Sequence, residues 1–204
     1  RETKWSRKDS GRIDKRLIAE LGFGNERVFQ TSFVEQYSDA FLHISVDASG
    51  SMGGDKWTNT QTAVAAIAKA CSMIKIAKVK NLFRYLRPSG TTPEGLCFEA
   101  ILKEIEPASK DKDSYFLNFS DGMPMFSNDE IDYYNDTAIN HTAKMIKEIR
   151  SRGVKVLSYF IGDSYDRREC TSTFGRMYGT DAEYIDVTSV LPVAKSMNKR
   201  FLQK

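Results

Sequence analysis

An Asp and two Ser residues alternate with small residues in Asp47-Ala48-Ser49-Gly50-Ser51, and Met52, Gly53 and Gly54 follow. One carboxylate and two hydroxyls at this spacing, on a turning backbone, present hard oxygen donors to a single point. Such donors suit a small divalent cation, because Mg²⁺ takes oxygen ligands in near-octahedral geometry and keeps part of its water shell. Two other segments have the same character. Phe119-Ser120-Asp121-Gly122-Met123-Pro124 places a carboxylate beside a glycine that permits close approach, and Ser89-Gly90-Thr91-Thr92-Pro93 is a hydroxyl-rich loop that opens the next helix. Each segment alone also reads as a turn or a helix cap, which Ser, Thr and Asp favour. Met123 to Phe126 adds an apolar run beside Asp121, suited either to the core or to the rim of a binding surface.

Elements that could position these groups are visible in the hydrophobic pattern. Residues 41–46 (FLHISV), 115–119 (YFLNF), 154–161 (VKVLSYFI) and 183–187 (EYIDV) read as strands, several of them apolar enough to be covered on both faces. Between them, residues 60–75 and 137–150 carry apolar side chains at helical spacing, and residues 191–202 read as a last helix with Pro192 near its first turn. Alternating strands and helices predict a doubly wound α/β fold, a mostly parallel central sheet with helices on both faces. In such a fold the ligand site lies at the C-terminal ends of the strands, just after Val46, Phe119 and Ile161. One stretch departs from the alternation, because residues 58–87 stay helical in pattern with no strand between. A rod of that length would span about 45 Å, so a break or a missing segment is expected near Lys75 and Ile76.

Three segments, in this order and at these strand ends, resemble the metal-ion-dependent adhesion site of von Willebrand factor type A domains. Asp-x-Ser-x-Ser, a later Gly-x-Thr-Pro and a strand ending in Ser-Asp-Gly-x-Pro are the matching motifs. The resemblance implies a Rossmann-like von Willebrand A fold over residues 41–204 and a metal held by Asp47, Ser49, Ser51, Thr92 and Asp121, with Thr91 an alternative to Thr92. It implies Mg²⁺, with Mn²⁺ or Ca²⁺ as other occupants. The interval of 41 positions from Ser51 to Thr92 is shorter than the family usually has. Gly11-Arg12-Ile13-Asp14-Lys15-Arg16-Leu17, Arg27-Val28-Phe29 and His141-Thr142-Ala143-Lys144 further resemble the C-terminal part of CobT-type cobaltochelatase subunits. That likeness implies a non-catalytic subunit that works beside an AAA+ ATPase and meets a partner Asp or Glu through the metal.

Enzyme classes fail on particular residues. Ser49 stands where a haloacid-dehalogenase phosphatase needs its second Asp, and no Gly-x-x-x-x-Gly-Lys-Ser/Thr loop is present to hold nucleotide phosphates. Ser49 also breaks a Gly-x-Ser-x-Gly nucleophile elbow at Ser51, and Met52 occupies the glycine position of an EF-hand loop.

Charge and composition set the remaining expectations. The 204 residues carry a net charge of +3, but residues 1–16 hold seven positive and three negative side chains, leaving 23 positive and 24 negative for the rest. Residues 1–40 therefore read as a basic arm and lead-in to a neutral domain, and only residues 1–16 offer a nucleic-acid contact. Cys71, Cys97 and Cys170 are odd in number and lack Cys-x-x-Cys spacing, and His43 and His141 are too few for a histidine-built metal site. Free thiols fit a cytoplasmic protein, and no apolar run is long enough to cross a membrane. A chain starting at Arg1 is expected to begin inside a longer protein.

Overall fold

The computed structural model describes residues 2–34, 40–73, 86–162 and 167–186. The chain divides into two units, Arg1–Ser38 and Asp39–Lys204.

In the first unit, β1 (Glu2–Lys8), β2 (Arg12–Ile13) and β3 (Phe29–Val34) pair antiparallel in the order β1-β3-β2. The segment read as an arm thus carries a sheet of its own. Several of its cations have acids within the same unit. Arg7 donates to both carboxylate oxygens of Glu20 at 2.9 and 3.0 Å, Arg16 grips Asp14 at 2.9 and 3.1 Å, and Arg27 reaches Asp9 at 3.0 Å. Asp14 is buried, and the Arg16 hydrogen bonds hold its carboxyl below the usual range.

The second unit follows the expected alternation. Its elements are β4 (Ala40–Val46), α1 (Asp55–Met73), α2 (Glu94–Ile101), β5 (Asp113–Ser120), β6 (Phe126–Ser127), β7 (Asp132–Tyr133), α3 (Asn135–Ser151), β8 (Lys155–Gly162), α4 (Arg167–Tyr178) and β9 (Ala182–Asp186). The strands β4-β5-β8-β9 lie parallel in that order, with Val46 opposite Phe119 and Asn118 opposite Ser158. Because side chains alternate across a strand, β5, β8 and β9 feed two cores, while β4 gives Leu42, Ile44 and Val46 to one. Leu117, Phe119, Leu157, Tyr159 and Ile161 face α1, meeting Trp57, Val64 and Ile67. Phe116, Val156 and Phe160 face the other way, onto Phe98 of α2, Ile146 and Ile149 of α3, and Phe174 and Tyr178 of α4. Phe119 stacks on Tyr159 at 5.1 Å between ring centroids, and Phe98 meets Phe116 edge-on at 5.3 Å. Two packed faces make this the doubly wound α/β fold that the sequence predicts, and they explain why β5 and β8 read as continuous apolar runs.

Differences from the sequence reading have local causes. Helix α1 starts at Asp55, ahead of the expected Thr60, because the turn at Gly53-Gly54 releases the chain and Gly54 takes a left-handed φ of 72°. Helix α4 and the β6–β7 hairpin were not foreseen. The α4 sequence is largely polar, and Phe174, Met177 and Tyr178 supply a short buried stripe near its end. The break expected near Lys75 and Ile76 and the helix expected over residues 191–202 lie outside the described residues.

Candidate metal centre

Strands β4 and β5 are neighbours whose connections leave to opposite faces of the sheet. The chain passes from β4 to α1 on one face and from β5 toward α3 on the other, so the two C-terminal ends flank the point where folds of this kind form their ligand crevice. Asp47 and Asp121 are the residues that follow those ends.

The Asp47 loop is fixed from both sides. The Asp47 N–H donates to the Phe119 carbonyl at 2.8 Å, continuing the ladder one residue past β4. Asp47 Oδ1 accepts from the Ser49 N–H at 2.8 Å, an Asx-type turn that bends the backbone around the carboxylate. Asp47 Oδ2 accepts from the Ser120 hydroxyl at 3.1 Å. The fully buried Met52 side chain then plugs into the core on the α1 face and anchors the tight turn Gly50–Met52. Ser49 Oγ and Ser51 Oγ are left 2.9 Å apart, Ser49 buried and Ser51 exposed. That separation is an ordinary hydroxyl contact. It is also the edge of an octahedron whose metal–oxygen bonds are about 2.05 Å, so both oxygens can serve adjacent positions on Mg²⁺ without moving apart.

Backbone contacts bring the hydroxyl-rich loop alongside. The Gly50 N–H donates to the Gly90 carbonyl at 3.1 Å and the Ser89 N–H to the Ala48 carbonyl at 2.8 Å. Thr92 is buried and Thr91 exposed, and the Thr92 carbonyl accepts from the Met125 N–H at 2.8 Å. This bridge ties the start of α2 to the loop after Asp121. Met123 and Met125 there are 48% and 52% exposed while Pro124 between them is buried, so the apolar run is shared between surface and core.

The carboxylates sit in a low-dielectric setting. Burial raises the Asp47 carboxyl above its ordinary pKa, Ser49 and Ser120 hydrogen bonds oppose the shift, and Asp121 adds to it. A bound divalent cation would favour the ionised form and release any proton held there. Lys56 Nζ donates to Asp121 Oδ2 at 3.2 Å.

Behind Asp47 lies a polar layer that motif reading did not find. Glu94, the first residue of α2, is buried, and its Oε1 accepts from Asn118 Nδ2 at 2.7 Å. The same amide donates to the Tyr178 hydroxyl at 3.0 Å, while Glu94 Oε2 has no hydrogen-bond partner among the described residues. Desolvation pushes the Glu94 carboxyl up to about 7, with Asp47 adding to it. Burial likewise drives the Tyr178 hydroxyl well above its usual value. The one sequence signal for this layer is Asn118, an amide that interrupts the run Tyr115–Phe119 (YFLNF) of β5.

Among the described residues no three His, Cys, Asp or Glu side chains converge as a metal-binding group. The donor set here is of another kind, two carboxylates with neighbouring hydroxyls, and its hard oxygens fit Mg²⁺. Asp47, Ser49 and Ser51 are joined directly by hydrogen bonds, Asp121 faces Asp47 electrostatically, and Thr92 enters through its loop.

No protein-family model and no curated protein sequence matches the chain. Among solved structures, the pilus adhesin SpaC from Lactobacillus rhamnosus GG in its open conformation is similar in fold, with a TM-score of 0.60 at 13% identity over 83% of this chain. A second structure of that adhesin gives 0.59 at 12% identity, again over 83%. The chain spans 30 to 31% of the adhesin's length, and at such identities the likeness is one of fold.

Proposed function

We propose that this chain is a metal-dependent protein-binding module of the von Willebrand A type. Asp47, Ser49, Ser51, Thr92 and Asp121 would hold Mg²⁺, with Mn²⁺ or Ca²⁺ as substitutes, and a partner Asp or Glu would complete its coordination. The observation that carries this reading is the Asp47-Ser49-Ser51 cradle, with its paired hydroxyls 2.9 Å apart, at the C-terminal ends of β4 and β5 beside Asp121. When bound, the metal supplies a fixed positive charge with water-filled positions that a carboxylate can take over. The protein's own groups orient that charge, and the exposed Met123 and Met125 offer apolar contact around it.

The partner class follows the CobT-like resemblance, an AAA+ ATPase within a chelatase-like or remodelling complex, in which this chain is non-catalytic and cytoplasmic. No described helix is long and apolar enough to cross a membrane. The test is capture of the ATPase subunit by wild type and by Asp47→Ala, with and without chelator, while circular dichroism follows the fold. Metal-dependent capture lost in the variant supports the proposal. Capture indifferent to chelator and to Asp47 refutes it.

An adhesion-type module is the second reading, and the likeness to the SpaC adhesin is the observation that favours it. It uses the same site with an extracellular ligand, so metal-dependent binding to an immobilised acidic surface ligand, with no capture of the ATPase, would select it. An RNA-associated role would rest on residues 1–16. The Arg7–Glu20 and Arg16–Asp14 pairs leave fewer charges for phosphate there, and a steep salt dependence of RNA affinity is its signature.

A further inference from the structure

Lys56 is the second residue of α1, where a cation is not expected. The N-terminal end of a helix carries partial positive charge, and this one runs for 19 residues, so an ammonium in its first turn is repelled by the helix itself. Asp55, one residue earlier, is the kind of side chain that end favours. What draws Lys56 in is the acidic pair at the strand ends. Its side chain is only 21% exposed, and Nζ sits 3.2 Å from Oδ2 of Asp121, a carboxylate 8% exposed and 65 residues away in sequence. Asp47 lies within electrostatic reach of Asp121, so the ammonium occupies the field of two acids at the ends of β4 and β5.

A divalent ion held by Asp47, Ser49 and Ser51 would enter that same field. A second cation already hydrogen-bonded to Asp121 repels it, and the repulsion is strong because neither charge is fully solvated. The two demands can be met in turn. A lysine ammonium rides on a flexible four-carbon stem and can swing to solvent without moving α1.

We propose that Lys56 is an exchangeable counter-cation of the centre: its ammonium holds Asp121 until a divalent ion takes that carboxylate, and this competition sets the affinity of the site for metal. The inference rests on the metal-binding reading above. It makes Lys56 an affinity-setting residue, and it keeps Asp121 paired in the absence of metal, when a lone buried carboxylate would be costly.

The test is calorimetric titration of Mn²⁺ into the full chain, comparing wild type, Lys56→Met and Asp47→Ala, with melting temperatures taken in chelator and in saturating Mn²⁺. Lys56→Met is expected to bind Mn²⁺ about tenfold more tightly, a change of the size that outer groups around a metal commonly produce. It should melt below wild type in chelator, and saturating Mn²⁺ should close or reverse that gap. Lys56→Gln, which keeps a polar end without the charge, replaces the Met variant if the latter does not fold. Equal or weaker Mn²⁺ binding by the lysine variants, with wild type binding normally, overturns the exchange and leaves the metal reading intact. Saturable binding by none of the proteins overturns the metal reading and this inference with it. Asp47→Ala supplies the non-binding reference that separates the two failures.

Discussion

The Ser120 hydroxyl donates to Asp47 Oδ2 at 3.1 Å, joining the ends of two adjacent parallel strands across 73 residues of chain. Through this contact β5 orients the carboxylate that closes β4, and the Gly122 N–H in turn donates to Ser120 Oγ at 3.2 Å. Ser120 is thus a positioning residue set between the two candidate carboxylate ligands.

Ser120→Ala should keep the fold and weaken Mn²⁺ binding by about tenfold, since outer-shell partners orient ligands rather than form them. Calorimetry on the folded variant checks this. Unchanged affinity would show that Asp47 is held well enough by the Ser49 N–H alone.

Metal should stabilise the chain by mass action. At a free Mn²⁺ concentration 100 times the dissociation constant, the gain is about 2.7 kcal/mol. Thermal or urea unfolding of wild type should therefore shift upward with added Mn²⁺ and return on chelation, while Asp47→Ala shows no shift in either direction.

Glu94 should make the stability of chelated protein fall with rising pH. Its folded-state pKa is raised from 4.5 to about 7 by burial. Below pH 4.5 both states hold the proton, and between 4.5 and about 7 the unfolded chain releases it while the folded chain keeps it. Stability attached to this group is thus complete below the lower value and lost as pH climbs through the upper one, an upper bound of roughly 3 kcal/mol. Glu94→Gln keeps an acceptor for Asn118 and should flatten the dependence in that window. Denaturant titrations from pH 4 to 8 on both proteins decide it, and parallel curves would rule out the buried acid as the source.

Gly122→Ala should damage the site from behind. Gly122 has φ near 100°, and a Cβ there would lie 2.5 Å from Cε2 of the Phe160 ring. Left-handed backbone and a core clash together predict a loss of about 1–3 kcal/mol, and displacement of the preceding Asp121 predicts weaker Mn²⁺ binding as well. Unfolding curves and calorimetry read the two effects separately.

Much of the fold is legible in the chain because it rests on local rules. The inner strands β5 and β8 announce themselves as apolar runs, since each must satisfy a core on both faces, and α3 shows a helical stripe that its burial bears out. The oxygen-bearing segments are likewise legible as motifs, and the fold brings the ends of β4 and β5 together as parallel neighbours.

Residue type and spacing by themselves determined the alternation, the doubly wound architecture and the oxygen-rich segments, and the resemblance of those segments to the von Willebrand A metal site implied the candidate donors Asp47, Ser49, Ser51, Thr92 and Asp121. Tertiary structure decided what surrounds them. Lys56 and Ser120 look like ordinary surface and strand-end residues in the chain, and Glu94 like a helix-opening acid. They acquire roles because folding sets Lys56 against a carboxylate 65 positions away, Ser120 against one 73 positions away, and Glu94 beside an amide 24 positions away. The basic start of the chain changed in the same manner, from a charged arm to a sheet with internal ion pairs. Electrostatic and hydrogen-bond partners are chosen by distance in space, and no periodicity along the sequence encodes that distance.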